Sequence, residues 1–166
     1  DRVVLVGQSM GGSLVLSAAH LRPDTVAGLV CINPLVQSRG DEVIEMLDDY
    51  LDDGIRVAPG EGSDIADPDS SDISYPGTPL APLRSLLVDG VTAIAGALAD
   101  LTAPLRLLTS RQDHVVDPAD SEHLATAYGG PVQHTWLERS YHVATRDFDR
   151  DLVIAETVEF AERVLR

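Results

Sequence analysis

The run Val3-Val4-Leu5-Val6-Gly7-Gln8-Ser9-Met10-Gly11-Gly12 sets a serine inside Gly-x-Ser-x-Gly, directly after branched apolar residues and directly before a stretch with helical spacing. In that context a strand runs into a turn so tight that the serine takes strained backbone angles and its hydroxyl stands clear of the sheet edge as a nucleophile. Gly7 and Gly11 are expected to make room, because a side chain at either place would collide with the strand or the following helix. The helix starting near Met10 aims free N–H groups and its positive dipole end at the oxygen that becomes negative when a carbonyl is attacked. The Met10 N–H is therefore expected to be one oxyanion-hole donor. A glycine-rich turn with an incidental serine is the competing reading, and the strand-before, helix-after context weighs against it.

A serine hydroxyl is a weak nucleophile near neutral pH, so this chemistry needs a histidine base and an acid to orient it, in the order Ser, Asp, His along the chain. The apolar run Leu105–Ser110 leads into Arg111-Gln112-Asp113-His114-Val115-Val116-Asp117-Pro118. Asp113 follows a strand's carboxyl end, where side chains converge in open α/β sheets. Asp117 competes for the role, but its place before Pro118 suits a helix N-cap. Of the five histidines, His20 and His123 fall on helices and His134 lies within a strand. His114 follows Asp113 too closely for both to converge on Ser9, which leaves it as a local hydrogen-bonding partner. Only His142, in Arg139-Ser140-Tyr141-His142-Val143, occupies a third loop at the same sheet edge, and it is assigned as general base and acid. Together Ser9, Asp113 and His142 would act through an acyl-enzyme that water then hydrolyses.

Bringing three loops to one edge requires parallel strands. Arg2–Gly7, Ala27–Asn33, Leu105–Ser110 and Val132–Glu138 read as strands; Met10–Leu21, about Leu80–Leu101, Pro118–Tyr128 and Arg150–Leu165 read as helices. The last helix carries Leu152, Val153, Ala155, Val158, Phe160, Ala161 and Val164, a spacing that covers one face. Strand alternating with helix gives an α/β class, a three-layer α/β/α sandwich, because parallel strands need long crossovers that cover the sheet. Between Val36 and Thr78 the pattern breaks into an acidic, Gly/Pro/Ser-rich stretch with at most one short helix near Glu42–Leu51. A stretch of that length is expected to be a lid or disordered, and a cap insertion is placed at about residues 37–79.

The chain has 166 residues, enough for one domain with a substantial core. Its net charge of −15, from 27 acidic against 12 basic side chains, comes without any Lys/Arg stripe. Nucleic acid and anionic membrane are therefore poor partners, and no nucleic acid is expected. The single Cys31 lies in an apolar run, so no intrachain disulfide and no zinc-ligand spacing exist, and a small buried hydrophobe is expected. No stretch approaches the roughly 18 consecutive apolar residues of a membrane span, and no signal-peptide pattern is present. Compartment is left open with the cytoplasm favoured, as is oligomeric state. A start on Asp1 that enters at once on an apolar run reads as a chain cut out of a longer one.

Gly7-Gln8-Ser9-Met10-Gly11-Gly12, Asp113-His114-Val115-Val116 and Ser140-Tyr141-His142-Val143-Ala144-Thr145, with Asp147-Phe148-Asp149 and Asp151 downstream, together resemble the bacterial monoacylglycerol lipase and carboxylesterase group of the α/β-hydrolases. The insertion, with Gly62-Ser63-Asp64, Asp67-Pro68-Asp69, Ser74-Tyr75 and Thr78-Pro79, resembles that group's small cap, so the resemblance runs over essentially the whole chain. It implies hydrolysis of carboxylic esters, namely monoacylglycerols or similar lipophilic small molecules, with no metal or organic cofactor. Asp72 falls where the group has an acidic residue near the polar glycerol end of the substrate; a solvated charge in an acidic loop is the preferred alternative.

The group's chain also has an earlier half, with the first strands of the sheet and a His-Gly loop that supplies a second oxyanion N–H. Without it the strand before Ser9 is an unpaired edge, and these 166 residues alone are expected to fold poorly and act weakly. Peptidase, thioesterase or acyltransferase chemistry on the same residues stays open, as does a non-catalytic binding module on the same fold. Serine at position 9 argues against the dehalogenases and epoxide hydrolases of this fold, which use a carboxylate nucleophile.

Overall fold

A computed structural model describes residues 2–60 and 62–166. In chain order the elements are β1 (Val3–Gln8), α1 (Met10–Leu21), β2 (Val26–Ile32), α2 (Asp41–Asp52), β3 (Val57–Pro59), β4 (Gly77–Pro79), α3 (Leu80–Ser85), α4 (Val91–Ala97), β5 (Leu105–Ser110), α5 (Pro118–Ala127), β6 (Val132–Leu137) and α6 (Arg150–Val164). The main sheet runs β1-β2-β5-β6, with every pairing parallel. In β2, Leu29 and Cys31 point to one face, where Leu16, Leu105, Leu107 and Leu124 cover them. Val30 and Ile32 point to the other, against Leu108, Leu137, Val153 and Phe160. That alternation buries both faces of β2 and β5 and makes the three layers, with α1, α4 and α5 on one side and α6 on the other. A third cluster, Leu35, Leu47, Leu80, Leu87, Val91 and Val116, joins α2 and the α3–α4 run to the sheet's carboxyl end.

Four features differ from the sequence reading. The helix expected over Leu80–Leu101 is α3 and α4 joined by a π-helical turn, Leu86–Gly90, and closed by a 3-10 turn, Leu98–Asp100. By length and composition the continuous run Leu80–Asp100, of mean hydropathy 1.3, could cross a membrane. Pro82, Arg84 and Asp89 interrupt it, however, and Leu80, Leu87, Val91, Ile94 and Ala97 bury one side of it within this chain. The second difference is a short antiparallel pair inside the insertion, Val57↔Pro79 to Pro59↔Gly77, too brief to show a two-residue period in the sequence. The third is α6, which buries only Val153 and Phe160 while Leu152 and Val158 stand 40% and 51% exposed, so its apolar residues do not form one buried face. The last is Gly11, in the serine turn, where an added Cβ would meet nothing within 4 Å among the described residues.

Among the described residues β1 pairs only with β2, and its Val3 and Val6 are 47% and 50% exposed.

Candidate active site

The carboxyl ends are level within each outer pair, Gln8 opposite Ile32 and Ser110 opposite Leu137, while β5 runs two residues past the end of β2, whose Ile32 lies opposite Leu108. The ladder continues one residue past each end: Ser9 N–H donates to Ile32 C=O at 2.9 Å, Asn33 N–H to Leu108 C=O at 2.9 Å, and Arg111 N–H to Leu137 C=O at 3.0 Å. Everything beyond those bonds therefore emerges along one edge.

Ser9 sits at the junction of β1 and α1 with φ 55° and ψ −123°, a backbone conformation that side-chain-bearing residues rarely hold. The turn is possible because Gly7 lacks a side chain: a Cβ there would lie 2.1 Å from Gly11 O and 2.4 Å from Gly11 C. At Gly11, in contrast, a Cβ would meet nothing within 4 Å among the described residues. The second close approach belongs to Gly12, whose Cβ would lie 2.6 Å from Pro34 Cβ. The expectation for Gly11 is thus corrected: the loop after β2 presses on α1 one residue later than the motif suggests. Ser9 makes no side-chain capping bond. Met10 is the first residue of α1, so its N–H has no acceptor within the helix.

Asp113 and His142 come together from different loops, His142 Nδ1 lying 2.7 Å from Asp113 Oδ2 with the two side chains 9% and 1% exposed. The other carboxylate oxygen, Asp113 Oδ1, accepts the N–H groups of Val115 at 2.8 Å and Val116 at 2.9 Å, which fixes the acid's orientation. Asp117 does cap α5, accepting the Ala119 N–H at 2.9 Å. No hydrogen bond joins Ser9 Oγ to the His142 ring among the described residues; such contacts often close only once substrate is bound.

The histidine loop is tied to the serine turn through the residue beside Ser9, since Gln8 Nε2 donates to the His142 carbonyl at 3.3 Å and Thr145 Oγ1 donates to Gln8 Oε1 at 2.9 Å. Asn33, buried, donates from Nδ2 to the same carbonyl at 2.8 Å and to Ser110 Oγ at 3.0 Å, and accepts the Ser110 N–H at 2.7 Å. Ser110 Oγ completes the net by donating to Tyr141 C=O at 2.8 Å.

Asp72 lies in the loop between β3 and β4, half-buried, bonded to none of Ser9, Asp113 or His142; its Oδ1 is shielded from solvent and has no hydrogen-bond partner among the described residues. His20 and His123 are exposed on α1 and α5. His134 lies in β6 with Nε2 2.8 Å from Thr109 Oγ1. His114 is not the local partner that its position suggests: its Nδ1 lies 2.8 Å from Asp64 Oδ1, fifty positions away. Sequence reasoning gave no positioning role to Asn33, Ser110, Asp64 or Asp147, polar residues each with at least one partner on a different loop. Asn33 alone carries a local signal, an asparagine at a strand's end able to take the φ of 46° found there.

A parallel sheet with a strained serine at a strand-to-helix turn and a buried Asp–His pair on neighbouring loops defines the class: the chain has the fold of the α/β-hydrolase superfamily. Within it the chain is lipase- and esterase-like, and it has monoacylglycerol lipase homology. A family model described as serine aminopeptidase, S33, matches residues 1–52. The chain is 30% identical over 167 residues to a thermostable monoacylglycerol lipase of Bacillus sp. (strain H-257), covering 95% of this chain and 62% of the relative. A solved structure of the metagenome-derived lipolytic enzymes LipS and LipT superposes with a TM-score of 0.89 at 32% identity, covering 98% of this chain and 66% of that one. The monoacylglycerol lipase of Paleococcus ferrophilus shares the fold at 18% identity and a TM-score of 0.65, over 95% of this chain and 69% of that one. The chain thus spans just under two thirds of the length of the first two relatives.

Proposed function

We propose that the protein is a serine hydrolase of carboxylic esters, with monoacylglycerols or similar lipophilic esters as substrates. Ser9 attacks the ester carbonyl, and His142 takes its proton and hands it to the leaving alcohol. Asp113 fixes the imidazole, the Met10 N–H holds the oxyanion, and water then frees the acid from the acyl-enzyme. The observation that carries this reading is the 2.7 Å contact between His142 Nδ1 and Asp113 Oδ2, buried on the edge that also bears the strained Ser9. It orients the ring so that its free Nε2 is the atom left for proton transfer. Residues 37–79 are proposed as the cap. Asp72 is proposed to accept a hydroxyl of the substrate's alcohol end, a role supported by the unpartnered, shielded Oδ1.

The test is covalent labelling of the full-length protein with a fluorophosphonate, alongside release of fatty acid from a monoacylglycerol. Labelling and turnover are both expected, and both should vanish in Ser9→Ala; a folded protein that neither labels nor turns over ends the proposal. A peptidase reading is kept because the matching family model is described as a serine aminopeptidase. Cleavage of an aminoacyl anilide at a higher kcat/KM than any ester would favour it.

A further inference from the structure

A carboxylate from the insertion reaches behind the proposed base. Asp64 Oδ2 accepts the backbone N–H of His142 at 3.0 Å and that of His114, the residue after Asp113, at 3.2 Å. Its Oδ1 meets His114 Nδ1 at 2.8 Å, and its own carbonyl accepts the Val143 N–H at 3.0 Å. One side chain therefore touches both loops that must meet for the imidazole and its acid to be in register. The His114 ring in turn lies edge-on to Tyr141, with centroids 4.4 Å apart, so the link is packed as well as hydrogen-bonded. A second carboxylate cross-ties the same two segments: Asp147 accepts Ala66 and Asp67 N–H from the insertion, at 2.8 and 3.0 Å, and Tyr141 N–H from the histidine loop at 2.8 Å. Ser70 Oγ adds a bond to Arg146 C=O at 2.5 Å. Residues 64–70 are thus a strap bound to the loop carrying His142, and not a free lid.

We infer that Asp64, locked by His114, is a positioning residue that holds the His142–Asp113 pair in register from the insertion; this rests on the reading of His142 as the base. Burial pushes the Asp64 carboxyl up, but the hydrogen bonds from the His114 ring and from the His142 and His114 N–H groups outweigh it and hold the carboxyl below its ordinary range. Asp64 is therefore ionised wherever His142 works. The charged groups bonded to the His142 ring or to the backbone of its loop are then Asp113, Asp64 and Asp147, with the His114 ring on Asp64 able to carry a positive charge. A negative charge held at the backbone N–H of His142 stabilises the imidazolium formed when Ser9 loses its proton. Holding the ring still matters equally, since an ångström of misplacement costs on the order of 100-fold in rate.

The experiment compares wild type, Asp64→Asn, Asp64→Glu and His114→Gln in the full-length protein, with Ser9→Ala and His142→Ala alongside. In Asp64→Asn we expect kcat to fall about 10-fold with KM within about twofold. The acidic limb of kcat/KM should move to lower pH, because the imidazolium loses a neighbouring negative charge. Asp64→Glu should restore the limb while leaving kcat reduced. His114→Gln, at a side chain 60% exposed, should fold normally and lose kcat severalfold at constant KM. Wild-type kcat in a folded Asp64→Asn overturns the inference, as does a loss of kcat with the acidic limb unmoved, which is the mark of a structural role only. If Asp64→Asn does not fold, His114→Gln decides, and unchanged kcat there overturns it. Full activity in Ser9→Ala or His142→Ala would instead remove the underlying reading of the base, whatever Asp64 does.

Discussion

Asn33 and His142 are joined by a 2.8 Å hydrogen bond from the side-chain amide of one to the backbone carbonyl of the other, across the end of the intervening strand β5. Because Asn33 also donates to Ser110 Oγ and accepts the Ser110 N–H, one buried side chain sets the height of the histidine loop above the sheet. Asn33→Ala strands those groups and leaves a residue without a polar side chain at φ 46°. A loss of about 2–4 kcal/mol in chemical denaturation is expected. Turnover should fall further than stability does, since the displaced carbonyl is that of the proposed base. A variant as stable and as active as wild type would show that the bonds from Gln8, Asp64, Ser110 and Asp147 hold the loop without it.

The serine turn yields a sharper contrast. A Cβ on Gly7 would sit inside the contact distance of three backbone atoms, Gly11 O, Gly11 C and Gly12 N, and backbone in the first turn of a helix packed on the sheet cannot withdraw. Gly7→Ala is expected to cost about 3 kcal/mol or more, or to prevent folding. Gly96, exposed on α4 with nothing within 4 Å of where a methyl group would sit, is the control. Gly96→Ala should raise stability by about 0.5–1 kcal/mol through helix propensity. Equal melting temperatures for the two variants would contradict the packing at the turn.

These residues also mark where the sequence is readable and where it is not. Ser9, the Asp117 cap and the three strand-to-helix loops follow from local rules, because turn strain, capping and strand ends depend on neighbours a few positions away. The division of labour between Gly11 and Gly12 does not, since it depends on where the loop carrying Pro34 crosses α1. Asp64 is one of many acids in an acidic stretch, and its partners His114 and His142 lie 50 and 78 positions on. The exposed Leu152 and Val158 show the same limit in α6: spacing tells which residues share a face, not how wide a strip the sheet covers.

Cys31 lies in β2 with no exposed surface, and burial pushes its thiol up to about 12. The thiolate is the reactive form, so the native protein should resist iodoacetamide near pH 8 and react stoichiometrically only after denaturation. Alkylation of folded protein at the rate of a free thiol would mean that the sheet opens at β2 far more readily than its packing allows.

His134 gives the pH dependence. Burial lowers its pKa, the positive charges of Arg106 and Arg111 lower it further, and Glu122 opposes them only in part. The native state therefore holds that proton less tightly than the unfolded chain, whose histidine titrates near about 6.5. Its contribution to stability is complete above that pH, falls as pH drops through the folded-state value, and changes no further below it. Melting temperature should decline between pH 7.5 and 5 in wild type. His134→Gln, which can keep the bond to Thr109 Oγ1 but cannot protonate, should flatten that decline while leaving the pH 7.5 value nearly unchanged. The depressed Asp64 carboxyl acts in a separate window at more acid pH, where its stabilisation is lost as pH falls through its own folded-state value. An identical slope for wild type and His134→Gln across pH 7.5 to 5 would assign the loss to other groups.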